Sequence, residues 1–372
     1  MLGNLTTKFF LRDYWQKKPL LVRQAFPKFK GLLDPSQLLA LACAEDAQSR
    51  LVMQHRDRWQ VKSGPLEAAE FDGLEKAKWT VLVQGINHHL PDAASLLMKF
   101  NFIPYARLDD LMVSYAPKGG GVGPHFDSYD VFLLQGLGQR RWQISAQQDR
   151  SLISGAPLKI LQNFKAEKEW VLESGDMLYL PPGYAHNGIA ENECMTYSVG
   201  FRAPTHQELA EQFLVYLQDR VCLGGMYSDP DLMVQDHPSE ISVDMVHQVS
   251  EVIQQIQWDN NDVAHFLGGY LSDPKPHVFF DRPKRPLNQE RFMGLIGRRG
   301  LMADQKTQML CHQGVLFVNG IAHAVSAEAY QQLRTFADAR QLGCVAGLSK
   351  ETLNLLYGWY VDGYVMLCPG VP

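Results

Sequence analysis

Between Pro104 and Phe201 glycines and prolines cut the chain into short β-rich runs, and this texture limits the possible folds more than any other feature. Asp110–Tyr115 alternates polar and apolar residues. A loop carrying Gly119, Gly120, Gly121 and Gly123 follows, and then Val131–Leu134, Arg141–Ile144 and Met177–Leu180, each bounded by turn residues. Alternation at period two gives a strand one core-facing side. Short strands joined by turns, with no helical run between them, exclude βαβ units and predict a β-sandwich or small barrel. The β core is expected at about residues 95–201, inside a first domain of residues 1–203.

The flanks read differently. Asp34-Pro35 opens an amphipathic stretch with Asp as N-cap and Pro at the first helical position. Trp79–Gln84 predicts a strand, and Asp92–Phe100 a helix. After Arg202-Ala203-Pro204 the period becomes helical: Thr205 and Glu208 fit a capping box, and Leu209, Phe213, Leu217 and Val221 share a face. A second stripe runs through Met245, Val246, Val249, Val252, Ile253 and Ile256. Such stripes must be covered, so residues 204–273 are expected to be a helical region whose stripes pack within the chain or against a second copy. Pro274–Arg299, rich in Pro and basic residues, reads as a linker leading a third unit, residues 274–372. There Val318-Asn319-Gly320 between two β-rich runs signals a hairpin, with helices near Ser326–Arg340 and Ser349–Tyr360, a winged-helix-like pattern.

Composition excludes several classes. At 46% hydrophobic and 20% charged residues the chain can bury a core, which rules out long-range disorder. A formal charge of −5 argues against direct nucleic-acid binding, which needs a basic face. Six cysteines without a CxxC pair suggest reduced thiols in a cytoplasmic protein. No apolar run approaches the roughly 18 residues that a membrane span needs, so no membrane association is expected. Met1–Phe26 lacks the pattern of a secretory signal.

The chemistry concentrates in Gly121-Val122-Gly123-Pro124-His125-Phe126-Asp127-Ser128-Tyr129-Asp130. On a strand His125 and Asp127 share a face, which supplies two-thirds of a 2-His-1-carboxylate triad that leaves half of an Fe(II) shell open. The third member is expected from Gly175-Asp176-Met177-Leu178-Tyr179-Leu180-Pro181-Pro182-Gly183-Tyr184-Ala185-His186, where a strand ends in a Pro-Pro-Gly turn that presents His186. Either half alone is weak. The pair, H-x-D followed by G-D-x4-P-x-G-x2-H, is the two-part metal signature of cupin-like barrels.

Open positions on iron call for a chelating cosubstrate and O2. In Gln139-Arg140-Arg141-Trp142, alternation sends Arg140 and Trp142 to one face and Arg141 to the other, and a guanidinium inside a barrel needs an anion. Either arginine also suits a surface charge. Ser114, on the face of Asp110 and Met112, offers a hydroxyl to that anion or is a plain core residue.

With these residues assembled, the chain resembles the Jumonji-type (JmjC) oxygenases dependent on Fe(II) and 2-oxoglutarate, and among them the bacterial ribosomal oxygenases. Tyr14-Trp15-Gln16-Lys17-Lys18-Pro19-Leu20, Pro117-Lys118-Gly119 through Asp130, Asn192-Glu193-Cys194 through Pro204, and Tyr227-Ser228-Asp229-Pro230 carry the likeness over the first 230 residues. It implies a mainly β catalytic barrel (a double-stranded β-helix) with flanking helices, then a helical dimerisation region and a small α+β winged-helix-like domain. It implies His125, Asp127 and His186 as iron ligands, Arg140 as the 2-oxoglutarate anchor, and Asp110, Met112, Tyr129 and Ser198 around a substrate arginine. Tyr129 joins them by alternation if its strand continues. Asp110 with Met112 gives a carboxylate and an apolar wall for a guanidinium on a methylene stem, although Asp110 also suits a surface turn and Met112 ordinary core. The implied reaction is hydroxylation of that arginine, at the β-carbon, in a large-subunit ribosomal protein, the sixteenth. A histidine hydroxylase or lysine demethylase of the same class, a cupin-type metalloprotein that does not use 2-oxoglutarate, and an inert ribosome-binding scaffold are the competing readings.

Overall fold

The computed structural model describes residues 1–56, 58–74, 78–344 and 347–369. In the first half the elements run α1 (Thr7–Asp13), β1 (Leu20–Val22), α2 (Pro35–Ala42), β2 (Ser49–His55), β3 (Arg58–Ser63), β4 (Lys78–Val83) and α3 (Pro91–Met98). The core strands follow: β5 (Leu108–Ala116), β6 (His125–Phe126), β7 (Val131–Leu137), β8 (Arg140–Ser145), β9 (Lys168–Leu172), β10 (Met177–Leu180), β11 (Ala185–Ala190) and β12 (Cys194–Phe201). Eight strands in the order β1-β10-β7-β12-β5-β4-β2-β3 make a large sheet, and β6-β11-β8-β9 a smaller one.

Period-two alternation explains how one sheet serves two sides. On β5, Leu111 and Val113 are fully buried in the main apolar cluster, while Asp110, Met112 and Ser114 point the other way, into a cavity. On β12, Tyr197 and Val199 join that cluster, and Thr196 and Ser198 line the cavity. Behind the sheet, Phe10 of α1 packs its ring 5.6 Å from Phe132 and 5.0 Å from Tyr179. Between the sheets lies a smaller cluster, Val131, Leu133, Leu178 and Leu180 against Trp142, Ile144 and Leu172. The Trp15-Gln16 motif closes one end. Gln16 Nε2 and the Tyr179 hydroxyl both donate to the fully buried Asp130, at 2.9 and 2.6 Å, just beyond the His125–Asp127 loop. Asp34 caps α2 through a complete capping box with Gln37.

The remaining elements are α4 (His206–Gln218), α5 (Val243–Ile253), α6 (Asn260–Ser272), α7 (Gln289–Arg299), β13 (Leu301–Ala303), β14 (Met309–His312), β15 (Val315–Val318), β16 (Ile321–Ala324), α8 (Ala327–Ala339), β17 (Gln341–Leu342), α9 (Lys350–Val361) and β18 (Val365–Leu367). The chain divides into two compact units: Met1–Ala203 with Pro274–Thr307 and Ala339–Pro372, and Pro204–Asp273 with Gln308–Asp338.

In the second unit, α6 packs on the β14-β15-β16 hairpin sheet. Asn319 and Gly320 both take positive φ (50° and 85°), the geometry of a tight two-residue hairpin turn. Gly268 is required on α6, because a Cβ there would lie 2.4 Å from the Phe317 ring. Thr205 caps α4 by accepting from the Glu208 N–H at 3.0 Å, and the Glu208 carboxylate accepts from the Tyr270 hydroxyl. On α5 no residue is buried.

In the first unit, the reading of Pro274–Arg299 as linker needs correction: its second half is α7, capped by Asn288 and stopped by Gly300 at φ 75°. Arg298 and Arg299 fall in its last turn, where cations favour the helix dipole. All six cysteines are free thiols. Among the described residues no helix is long and apolar enough to cross a membrane.

Candidate active site

The cavity opening between the two sheets has a volume of about 490 Å³. It is lined by all nine residues singled out from the sequence: Asp110, Met112, Ser114, His125, Asp127, Tyr129, Arg140, His186 and Ser198.

Strand pairing brings the two histidines together. β6 and β11 are antiparallel neighbours whose register sets His125 directly opposite His186, with ring centroids 4.2 Å apart. Asp127 follows on the turn after β6, with its oxygens 3.8 Å from His125 Nε2 and 3.5 Å from His186 Nε2. One donor atom from each residue lies within 4.8 Å of the others. Two donors each about 2.1 Å from a common ion lie roughly 3–4 Å apart, so the set fits one metal. The far side of each ring is already engaged. His125 Nδ1 faces Gly123 O at 2.9 Å and His186 Nδ1 faces Tyr184 O at 3.0 Å. Donation to those carbonyls puts the ring proton on Nδ1 and turns each Nε2 lone pair to the centre. Burial, then the neighbouring His125, pushes His186 down to about 4, which keeps it a neutral ligand.

Arg140 and Arg141 separate as alternation requires. Arg141 sits outside between Glu169 and Glu191. Arg140 is 4% exposed, and its Nε and Nη2 have no hydrogen-bond partner. Its guanidinium lies 5.8 Å from the centroid of Trp142, which lines the same cavity. A buried guanidinium with two unpartnered nitrogens calls for an anion, and a carboxylate matches the fork.

On the opposite wall, Asp110 is buried and accepts the Gly85 N–H at 2.9 Å. Burial first, then the charge of Asp109, pushes its carboxyl up to about 6. Tyr129 reaches the cavity by a different route from the one expected. β6 ends at Phe126, so the turn after Asp127 delivers the phenol, not strand alternation; Tyr129 keeps 39% exposure, and partial desolvation with the Asp127 charge raises its pKa.

Sequence reasoning missed the contribution of the N-terminal strands. Arg50 and Val52 of β2 and Thr80 and Leu82 of β4 also line the cavity, as do Pro157–Ile160 of the β8–β9 connection. The i, i+2 spacing of Arg50 and Val52 was a signal. It was hidden because the strands next to the core were expected to begin near residue 95.

A JmjC-domain family model matches residues 95–209, and a ROXA-like winged-helix model matches residues 255–366. The ribosomal protein uL16 3-hydroxylase of Escherichia coli K12 is 36% identical over 278 residues, 74% of each chain. A probable ribosomal oxygenase of Haemophilus influenzae is 42% identical over 238 residues, 63% of this chain and 56% of that protein. Among solved structures, an E. coli ribosomal oxygenase in complex with cobalt and 2-oxoglutarate superposes with a TM-score of 0.82 at 31% identity, covering 98% of both chains. A second, with cobalt and succinic acid, gives 0.81 with the same coverage.

Proposed function

This chain belongs to the JmjC-type ribosomal oxygenases, and on that premise we propose that it hydroxylates an arginine of ribosomal protein uL16, at the β-carbon, using Fe(II), 2-oxoglutarate and O2. The single observation that carries this reading is the unpartnered, buried Arg140 in the same cavity as the His125–Asp127–His186 cluster. When bound, iron with 2-oxoglutarate and O2 supplies the oxidant for an unactivated C–H bond, and the cosubstrate leaves as succinate and CO2.

The protein's own part is to hold and orient. His125, Asp127 and His186 would hold the ion, each through one donor atom. Arg140 would pair with the far carboxylate of 2-oxoglutarate, and the Ser114 hydroxyl would add a donor to it. The negative Asp110 takes the substrate guanidinium, Met112 and Tyr129 flank its methylene stem, and Ser198 completes the wall. Asp110 discriminates among substrates, because a buried carboxylate favours a permanent cation over a neutral imidazole. Its role requires ionisation, so arginine binding weakens as pH falls through about 6.

α5 supports a homodimer: Val246, Val249, Val252 and Ile253 are 40–59% exposed on a helix that buries nothing within its chain, the condition a second copy removes. The place of action is the cytoplasm, where ribosomal proteins assemble.

Tryptic mass spectrometry of ribosomes with and without this protein tests the proposal. The mass of one oxygen atom should disappear from an arginine peptide of uL16 in the deletion strain. Identical ribosomes would refute the ribosomal substrate.

A further inference from the structure

Two consecutive carboxylates, Asp109 and Asp110, line the substrate side of the cavity, and they are treated differently. Asp110 is buried and receives one backbone N–H. Asp109 is flanked by two cations, with its Oδ1 2.9 Å from Lys275 Nζ and 3.5 Å from Arg202 Nε. Lys275 comes from the segment after α6, far along the chain and outside the cavity lining. Arg202 follows β12 and is pinned through its backbone, its carbonyl accepting from Arg107 Nε at 2.6 Å.

We propose that Lys275, together with Arg202, is a positioning residue for substrate recognition: by neutralising Asp109 it keeps the adjacent Asp110 ionised and free for the cationic side chain of the substrate. This rests on the reading of Asp110 as the guanidinium anchor.

The physical reason is that a negative charge on the neighbouring residue opposes ionisation of the buried Asp110 carboxyl. Burial raises the Asp110 carboxyl first and Asp109 raises it further, while Lys275, the Gly85 N–H and Arg202 draw it back. Tyr129 also faces this group from the turn after β6, with Arg50 of β2 near it. Its phenol, raised by burial and by the charges of Asp127 and Asp110, stays neutral and adds no charge. An ion pair that only fastened Pro274–Thr307 to the barrel would serve equally with any strong pair. Both cations sit on one oxygen of a carboxylate next to the anchor, where their charge bears on its titration.

The test is the pH profile of KM for an arginine-containing uL16 fragment, measured with the full-length chain loaded with Fe(II) and 2-oxoglutarate. For the unaltered chain KM rises as pH falls through the Asp110 titration. In Lys275→Met that rise moves to higher pH by about one unit, as expected for loss of a nearby opposite charge, while kcat at alkaline pH is kept. In Asp109→Asn the rise moves to lower pH, although the same ion pair is broken. Lys275→Arg restores the original profile.

Opposite shifts from two variants that break one contact are beyond a merely structural role. Shifts in the same direction, a pH-independent loss, or unmoved profiles overturn the role of Lys275. A KM for the fragment that ignores pH in the unaltered chain overturns the Asp110 anchor itself, so failure of the inference and failure of the underlying reading are told apart.

Discussion

The cavity between the sheets and the surface of α5 are opposite kinds of incompleteness. Inside, Arg140 is buried with two nitrogens that have no hydrogen-bond partner, and Asp110 is buried on a single backbone N–H. Outside, α5 carries a long apolar stripe with no residue buried. Each departs from what a folded chain does by default, since buried charge is normally paired and large apolar faces are normally covered. What is missing can be read from the sign of the departure. The first region offers buried charge to small ligands, and the second offers an exposed apolar face.

Removal of the metal site should have the largest effect. Asp127→Ala or His186→Ala is expected to abolish turnover and stoichiometric iron binding, measured by metal analysis of the purified chain, while the fold is kept because neither side chain belongs to the main apolar cluster. Arg140→Ala comes next. Losing one partner of a buried charge pair costs about 2–5 kcal/mol, so the KM for 2-oxoglutarate should rise by about 30-fold or more. Its neighbour sharpens the contrast. Arg141→Ala, on the outer face, should change that KM less than about twofold, because exposed ion pairs contribute roughly 0–1 kcal/mol and this one is remote from the ligand.

The packing side is tested by stability. Phe10→Ala should cost about 3–5 kcal/mol in denaturant unfolding, whereas Val252→Ala on α5 should stay within about 0.5 kcal/mol at concentrations too low for association. If Val252→Ala proved as costly as Phe10→Ala, α5 would not be the uncovered face described. Placing a charge on the stripe, Val249→Asp, should produce a monomer by light scattering with turnover per chain nearly unchanged.

The same contrast explains what was legible in the sequence. The strands around the cavity were, because a surface with one dry side and one ligand side writes period-two alternation directly: Asp110, Met112 and Ser114 against Leu111 and Val113. So was the Asn319-Gly320 turn, whose backbone angles few other residue pairs accept. Among the helices that escaped notice, α6 and α7 did so for local reasons. α6 carries Gly268 and Gly269 in its interior, a poor helical signal explained only by the Phe317 ring packed against it. α7 was masked by the prolines and arginines around it, although Asn288 and Gly300 mark its ends. The route by which Tyr129 reaches the cavity is not legible in the alternation, since a two-residue strand cannot carry it to a fifth position. Arg50 and Thr80 were missed because nothing local shows that β2 and β4 join the same sheet as β5.

The most direct test incubates the full-length chain with Fe(II), 2-oxoglutarate, O2 and a uL16 fragment, counting succinate against hydroxylated peptide. The account predicts equal amounts, the oxygen on one arginine, and both products lost together in Asp127→Ala. Oxygen on a residue other than arginine, or succinate that forms equally in the absence of the triad carboxylate, would contradict it.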